Sequence, residues 1–122
     1  MRDYPKAVRR KLEELAVQAY ERDLNKEIAK LADRFDEWRA GQWDPWELTD
    51  LIHKFHNGPA RELYKVYNSD FRDLAVASAL ARGILSQEEV PGEVWPYIQD
   101  EVEIIRHRLD EEDSSDPQEP EA

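Results

Sequence analysis

Two of the three histidines stand three residues apart in Ile52-His53-Lys54-Phe55-His56-Asn57-Gly58-Pro59-Ala60-Arg61-Glu62-Leu63-Tyr64, the densest run of polar chemistry in the chain. Imidazoles three apart on a helix sit close enough around its axis for both to reach one ion, and Asp50 lies three residues earlier. A closed site needs further ligands, and His107 with Glu103 is the obvious external source. The wheel argues against it. Relative to the apolar stripe Leu48, Leu51, Ile52 and Phe55, His56 lies at about 90° and His53 at about 150°. Two histidines four apart around a glutamate, as in zinc proteases, do not occur here, nor does the Glu-x-x-His pair of helical di-iron proteins. No metal and no cofactor is expected. His56 is expected to cap a helix end, where the dipole favours an imidazole, and His53 to be solvated.

The same run has a second chemical reading. An imidazole titrates near neutrality and can act as a base. An oxyanion could sit at a helix start behind Gly58-Pro59, with Arg61 as its clamp. His53, His56 and Arg61 are therefore the candidate ligand-binding residues of a small helical enzyme or metal-binding protein. There is no glycine-rich phosphate loop and no serine in a nucleophile-elbow context, so no catalytic residue is assigned.

The aromatic residues point elsewhere. Trp38, Trp43 and Trp46 cluster around one helix–helix turn, and Tyr64 lies near Arg61. Tryptophan combines large apolar area with a polar handle and is enriched at binding hot spots. These four residues are the candidate interaction surface.

The elements that position these groups read as helices throughout. Pro5 suits a first helical turn, and neither proline nor glycine follows before Gly41. Val8, Leu12, Leu15 and Ala19 make one apolar stripe, and Leu24, Ile28, Leu31, Phe35 and Trp38 make a second. The stripe slips between Leu15 and Leu24, with Tyr20 filling in. A helix of this length spans about 50 Å, more than a small globule is wide. It must therefore kink at the slip or be covered in part by another chain. Asp44-Pro45-Trp46-Glu47 is a capping box opening a second helix that stops at Asn57-Gly58. Pro59 opens a third, with Ala60, Leu63, Val66 and Tyr67 inward. The alanine-rich segment from Phe71 to Arg82 is placed centrally, because small residues let helices approach, and Gly83 ends it. Ser86 and Glu89 form another capping box. A last helix, with Val94, Ile98, Val102 and Leu109 along its stripe, runs to about Leu109.

Composition sets the outer limits. The chain has 122 residues, enough for one domain, and a charged fraction of 37%. There is no cysteine, which excludes disulfides, thiolate metal sites and a thiol nucleophile. The formal net charge is −11, and residues 110–122 contribute seven acids and no base. Phosphate backbones repel such a chain, so nucleic acid is not an expected partner; the basic cluster Arg2, Lys6, Arg9, Arg10 and Lys11 reads as a solvated helix face. No signal peptide or membrane-spanning run is legible, and the cytoplasm is the expected location. The expectation is an all-α, compact bundle of about five helices over residues 1–109, with a disordered acidic tail over 110–122. Its expected role is that of a non-catalytic protein–protein interaction module, such as an adaptor, inhibitor or small subunit, working as a homodimer.

Overall fold

A computed structural model describes residues 3–115, and these are all-helical, without a strand. Helix α1 (Lys6–Arg39) is followed by α2 (Pro45–Phe55), a π-helical turn (His56–Ala60), α3 (Arg61–Tyr67), α4 (Arg72–Ala81) and α5 (Trp95–Ser115). A short 3₁₀ turn (Gln87–Glu89) lies between α4 and α5. The segments from α2 to α3 are joined end to end, so the five α-helices make four rods.

The core gathers at one end of the long helix. Val8, Leu12, Leu15 and Ala19 of α1 pack with Ala75, Val76, Ala79 and Leu80 of α4, with Val94 just before α5, and with Ile98 and Val102 along it. The central position of α4 follows from its alanines, which let α1 and α5 close on it from either side. Tyr4 closes the end of the core: its ring packs edge-on against Tyr97 at 5.4 Å, and its hydroxyl donates to the buried carboxylate of Asp73 at 2.9 Å.

Both capping boxes form. Asp44 accepts from the Glu47 N–H at 2.7 Å while Glu47 accepts from the Asp44 N–H at 3.3 Å. Ser86 and Glu89 repeat the arrangement. There Arg22 of α1 donates through both terminal nitrogens to Glu89, at 2.8 and 2.5 Å, and also to the carbonyl of Ile84 at 3.0 Å. The guanidinium, aided by the Ser86 N–H, holds the Glu89 carboxyl down at about 2. Gly41 and Gly83 take the positive φ values, 83° and 78°, that end α1 and α4.

Three sequence expectations are corrected. The chain does not break at Asn57-Gly58-Pro59. His56, Ala60 and Arg61 keep right-handed helical dihedrals, and Gly58 does not take a positive φ. In an ordinary α-helix the Pro59 ring would strike the carbonyl four residues back; widening the turn by one residue opens room for it. Secondly, α5 runs six residues beyond Leu109, so the expected tail is helical through Ser115; the rest of that tail lies outside the described residues. Thirdly, Val66 is not inward but substantially exposed, whereas Leu63 and Tyr67 pack on the core.

The helix does not break at the slip: one helix spans Lys6–Arg39. Its second half leaves the core and runs against α2 and the π turn that follows it, as an arm about 24 Å long. Leu24, Leu31 and Phe35 are half-buried there, and Ile28 and Trp38 are 45% and 41% exposed.

Two stability measurements check this account. Leu12→Ala, at a fully buried site, is expected to cost about 2–5 kcal/mol in urea unfolding, and Leu31→Ala on the arm about half that or less. A methyl added at Gly58 meets nothing within 4 Å. Gly58→Ala is therefore expected to stabilise by about 0.5–1 kcal/mol. Destabilisation would mean that the chain does break there.

Candidate functional site

The groups singled out from the sequence divide between the arm and its root. At the tip of the arm, Trp43 is half-buried and its indole N–H donates to Glu37 at 2.7 Å. The same Glu37 oxygen lies 2.8 Å from Arg34 Nε, so one carboxylate gathers both groups. Trp43 is thus part of the turn that closes the hairpin. Trp46, in the first turn of α2, is 80% exposed, and Trp38 stands at the end of α1.

At the root, where the π turn faces α1, lies an open cleft of about 460 Å³. His56, Asn57, Arg61 and Tyr64 line one wall, and Tyr20 and Leu24 the other. The structure therefore brings His56, Arg61 and Tyr64 together and leaves His53 outside, exposed on α2. His56 does not cap a helix end, because the helix continues through it. For the same reason, no free helix start exists behind Gly58-Pro59 to hold an oxyanion. His107 is likewise remote in role: its Nε2 lies 3.2 Å from Glu111, one turn along α5. Among the described residues no three histidine, aspartate or glutamate side chains gather as a metal site.

Beside the cleft is a polar cluster that the sequence reading missed. Asp23 is only 4% exposed. Arg82 donates to both of its carboxylate oxygens at 3.0 Å, and the Tyr67 hydroxyl donates to it at 2.5 Å. The Tyr67 ring stacks on Tyr20, with centroids 5.1 Å apart and planes 8° from parallel. Burial by itself would push the Asp23 carboxyl up, but the hydrogen bonds from Arg82 and Tyr67 outweigh it and hold the group below its ordinary value. Burial pushes the Tyr67 phenol well above its ordinary range, and its bond to the Asp23 carboxylate adds to the effect. This arrangement keeps Tyr67 protonated and Asp23 ionised, so it is suited to joining helices and unsuited to passing protons.

A signal for Asp23 exists in the sequence. Counting from Leu12, Leu15 and Ala19, the next inward position is 23. The apparent slip in the stripe is this aspartate on a core position, which a search for apolar residues passes over.

Comparison of the chain with protein-family models, curated proteins and solved structures finds no match, so its function is read from these side chains.

The cluster predicts an asymmetric mutational response. Arg82→Ala leaves a buried carboxylate without its cation. Such a loss costs about 3–5 kcal/mol when both partners are buried; with Arg82 about a third exposed, about 2–3 kcal/mol is expected. Lys54→Ala, which breaks the exposed pair with Asp50 at 2.8 Å, is expected to leave the unfolding midpoint nearly unchanged. The pH dependence has a definite sign. The folded Asp23 carboxyl ionises below its ordinary value of 3.8. Its contribution is therefore complete above that value and is lost as pH falls through the lower folded value. Unfolding midpoints measured on acidification below about pH 4 should fall more steeply in the wild type than in Asp23→Asn.

Proposed function

We propose that the chain is a non-catalytic helical interaction module, an adaptor, inhibitor or small subunit, and that it docks through the face of its two-helix arm. The observation that carries this reading is the arm's missing third layer. Along α1 and α2 it leaves Ile28, Trp38 and Ile52 partly exposed, beside the half-buried Leu31, Phe35, Leu51 and Phe55, while Trp46 projects from the opposite side of α2. An apolar stripe over this many turns is ordinarily covered in a bundle. Scattered surface leucines need no partner, whereas apolar residues aligned along two packed helices favour one.

A second copy suits this face best. In an acidic chain, like charge opposes self-association. The arm largely escapes that opposition: over residues 24–39 and 45–55 five bases (Lys26, Lys30, Arg34, Arg39, Lys54) stand against six acids (Glu27, Asp33, Asp36, Glu37, Glu47, Asp50). Two such hairpins packed face to face make a four-helix bundle, and a closed two-fold pairing uses the same surface on both copies. The body stays outside the contact, with its excess acid in water. Cytoplasmic residence accords with this reading: no helix among the described residues is long and apolar enough to cross a membrane.

A second reading, a small helical enzyme or ligand-binding protein, draws on the convergence of His56, Arg61 and Tyr64 at the arm's root.

Light scattering on a gel-filtered sample tests the first reading. The expected mass is twice the 14.4 kDa of one chain, falling towards one chain on dilution. Ile28→Glu places two like charges against each other in the pair and should give the single-chain mass with little change in unfolding midpoint. A single-chain mass for the wild type at all concentrations would contradict self-association.

A further inference from the structure

The cleft at the root of the arm has a charge character unlike the rest of the molecule. The chain has 28 acids and 17 bases, and carboxylates edge three further clefts among the described residues. The groove beside Leu31 and Phe55 has Glu27 on its rim, and both clefts beside Arg72 have Glu13. No carboxylate lines the cleft of His56, Arg61 and Tyr64. The acids next to its lining residues in sequence are engaged or turned away. Asp23 is held by Arg82 and Tyr67, Glu62 lies 3.7 Å from Lys65, and Glu21 is not part of the wall. Among the described residues no carboxylate pairs with Arg61, although most cations on the arm and body have such a partner.

The π turn explains how these groups come to share a wall. Its turn is one residue wider than an α-turn, and His56, Asn57 and Arg61 all line the cleft beside it. Tyr64 follows one turn further along α3. Across the cleft, Tyr20 is fixed by its stack on Tyr67, and Tyr67 is fixed by Asp23. One wall therefore offers a guanidinium, an imidazole and an amide, and the other a fixed flat ring above Leu24.

We propose that this cleft binds a small organic anion, a carboxylate or phosphate monoester carried on a flat ring, with Arg61 and His56 holding the oxyanion and Tyr20 and Tyr64 the ring. A guanidinium fork matches the paired oxygens of either group, and its charge-assisted bonds strengthen where the surrounding wall is apolar. Flat rings pack in offset or edge-on contact with tyrosine. The volume, about 460 Å³, lies in the range of small-molecule sites. This site stands apart from the docking face and does not depend on self-association.

Nuclear magnetic resonance titration of the full chain with phenyl phosphate and benzoate tests it. Both are expected to shift the signals of His56, Arg61 and Tyr64 to saturation at or below millimolar concentrations. Arg61→Gln, at an exposed site with no paired carboxylate, should keep its unfolding midpoint and weaken binding by about tenfold or more. Benzyl alcohol, which lacks the charge, and inorganic phosphate, which lacks the ring, should each bind about tenfold more weakly than phenyl phosphate. Non-saturating shifts, unchanged affinity in Arg61→Gln, or equal affinity for either comparator would overturn the proposal. So would saturating shifts confined to the face of Ile28 and Phe35.

Discussion

A buried carboxylate at position 23 is the constraint on which the rest of this molecule hangs. Asp23 takes a position along α1 that the helix directs into the core, and a charge there must be matched. Arg82 comes from the end of α4 and Tyr67 from the end of α3, so one carboxylate ties three helices at one point. Sliding any of them by a turn would leave the charge unmatched, at a cost of about 2–3 kcal/mol. Apolar contacts alone would tolerate several registers at similar energy, because alanine and valine faces are nearly interchangeable. The knot makes one register far better than its neighbours.

That point also divides the molecule. On one side, α1 joins a conventional core with α4 and α5, closed by Tyr4 at the far end and by the Arg22–Glu89 bridge near the knot. On the other, α1 continues with α2 as an arm whose face lacks a covering layer. The knot stands where the arm leaves the body, and it also shapes the root cleft, since Tyr67 stacks on Tyr20 and Tyr20 lines one wall. Two features of functional interest therefore adjoin three residues that belong to neither.

What was legible in the sequence followed hydrophobic period and terminal chemistry. Val8, Leu12, Leu15 and Ala19 lie where a 3.6-residue period places them, and both capping boxes form with their reciprocal bonds. The alanines of α4 announced close approach, and Gly41 and Gly83 marked helix ends. The illegible parts have physical causes. Asp23 was hidden because a polar residue on a core position looks like an interruption. The run through Asn57-Gly58-Pro59 contradicts local propensity; the packing of α2 and α3 along the same helix overrides it, with the strain of proline absorbed by a wider turn. The acidic stretch after Leu109 reads as unable to order itself, yet α5 carries helix through Ser115, with residues 110–113 exposed. For the site, proximity of His53, His56 and Arg61 in sequence suggests a shared ligand-binding surface, with Tyr64 read instead as part of the aromatic interaction surface. That Tyr20 would complete it from another helix, and that His53 would be left out, required the fold.

The arm's uncovered face is the central claim, and hydrogen–deuterium exchange of the full chain at two well-separated concentrations tests it most directly. Raising the concentration should slow exchange along residues 24–39 and 45–55 and leave residues 72–81 and 95–105, which pack within one chain, unchanged. Exchange that is independent of concentration throughout, or protection gained in the body and not along the arm, would contradict it.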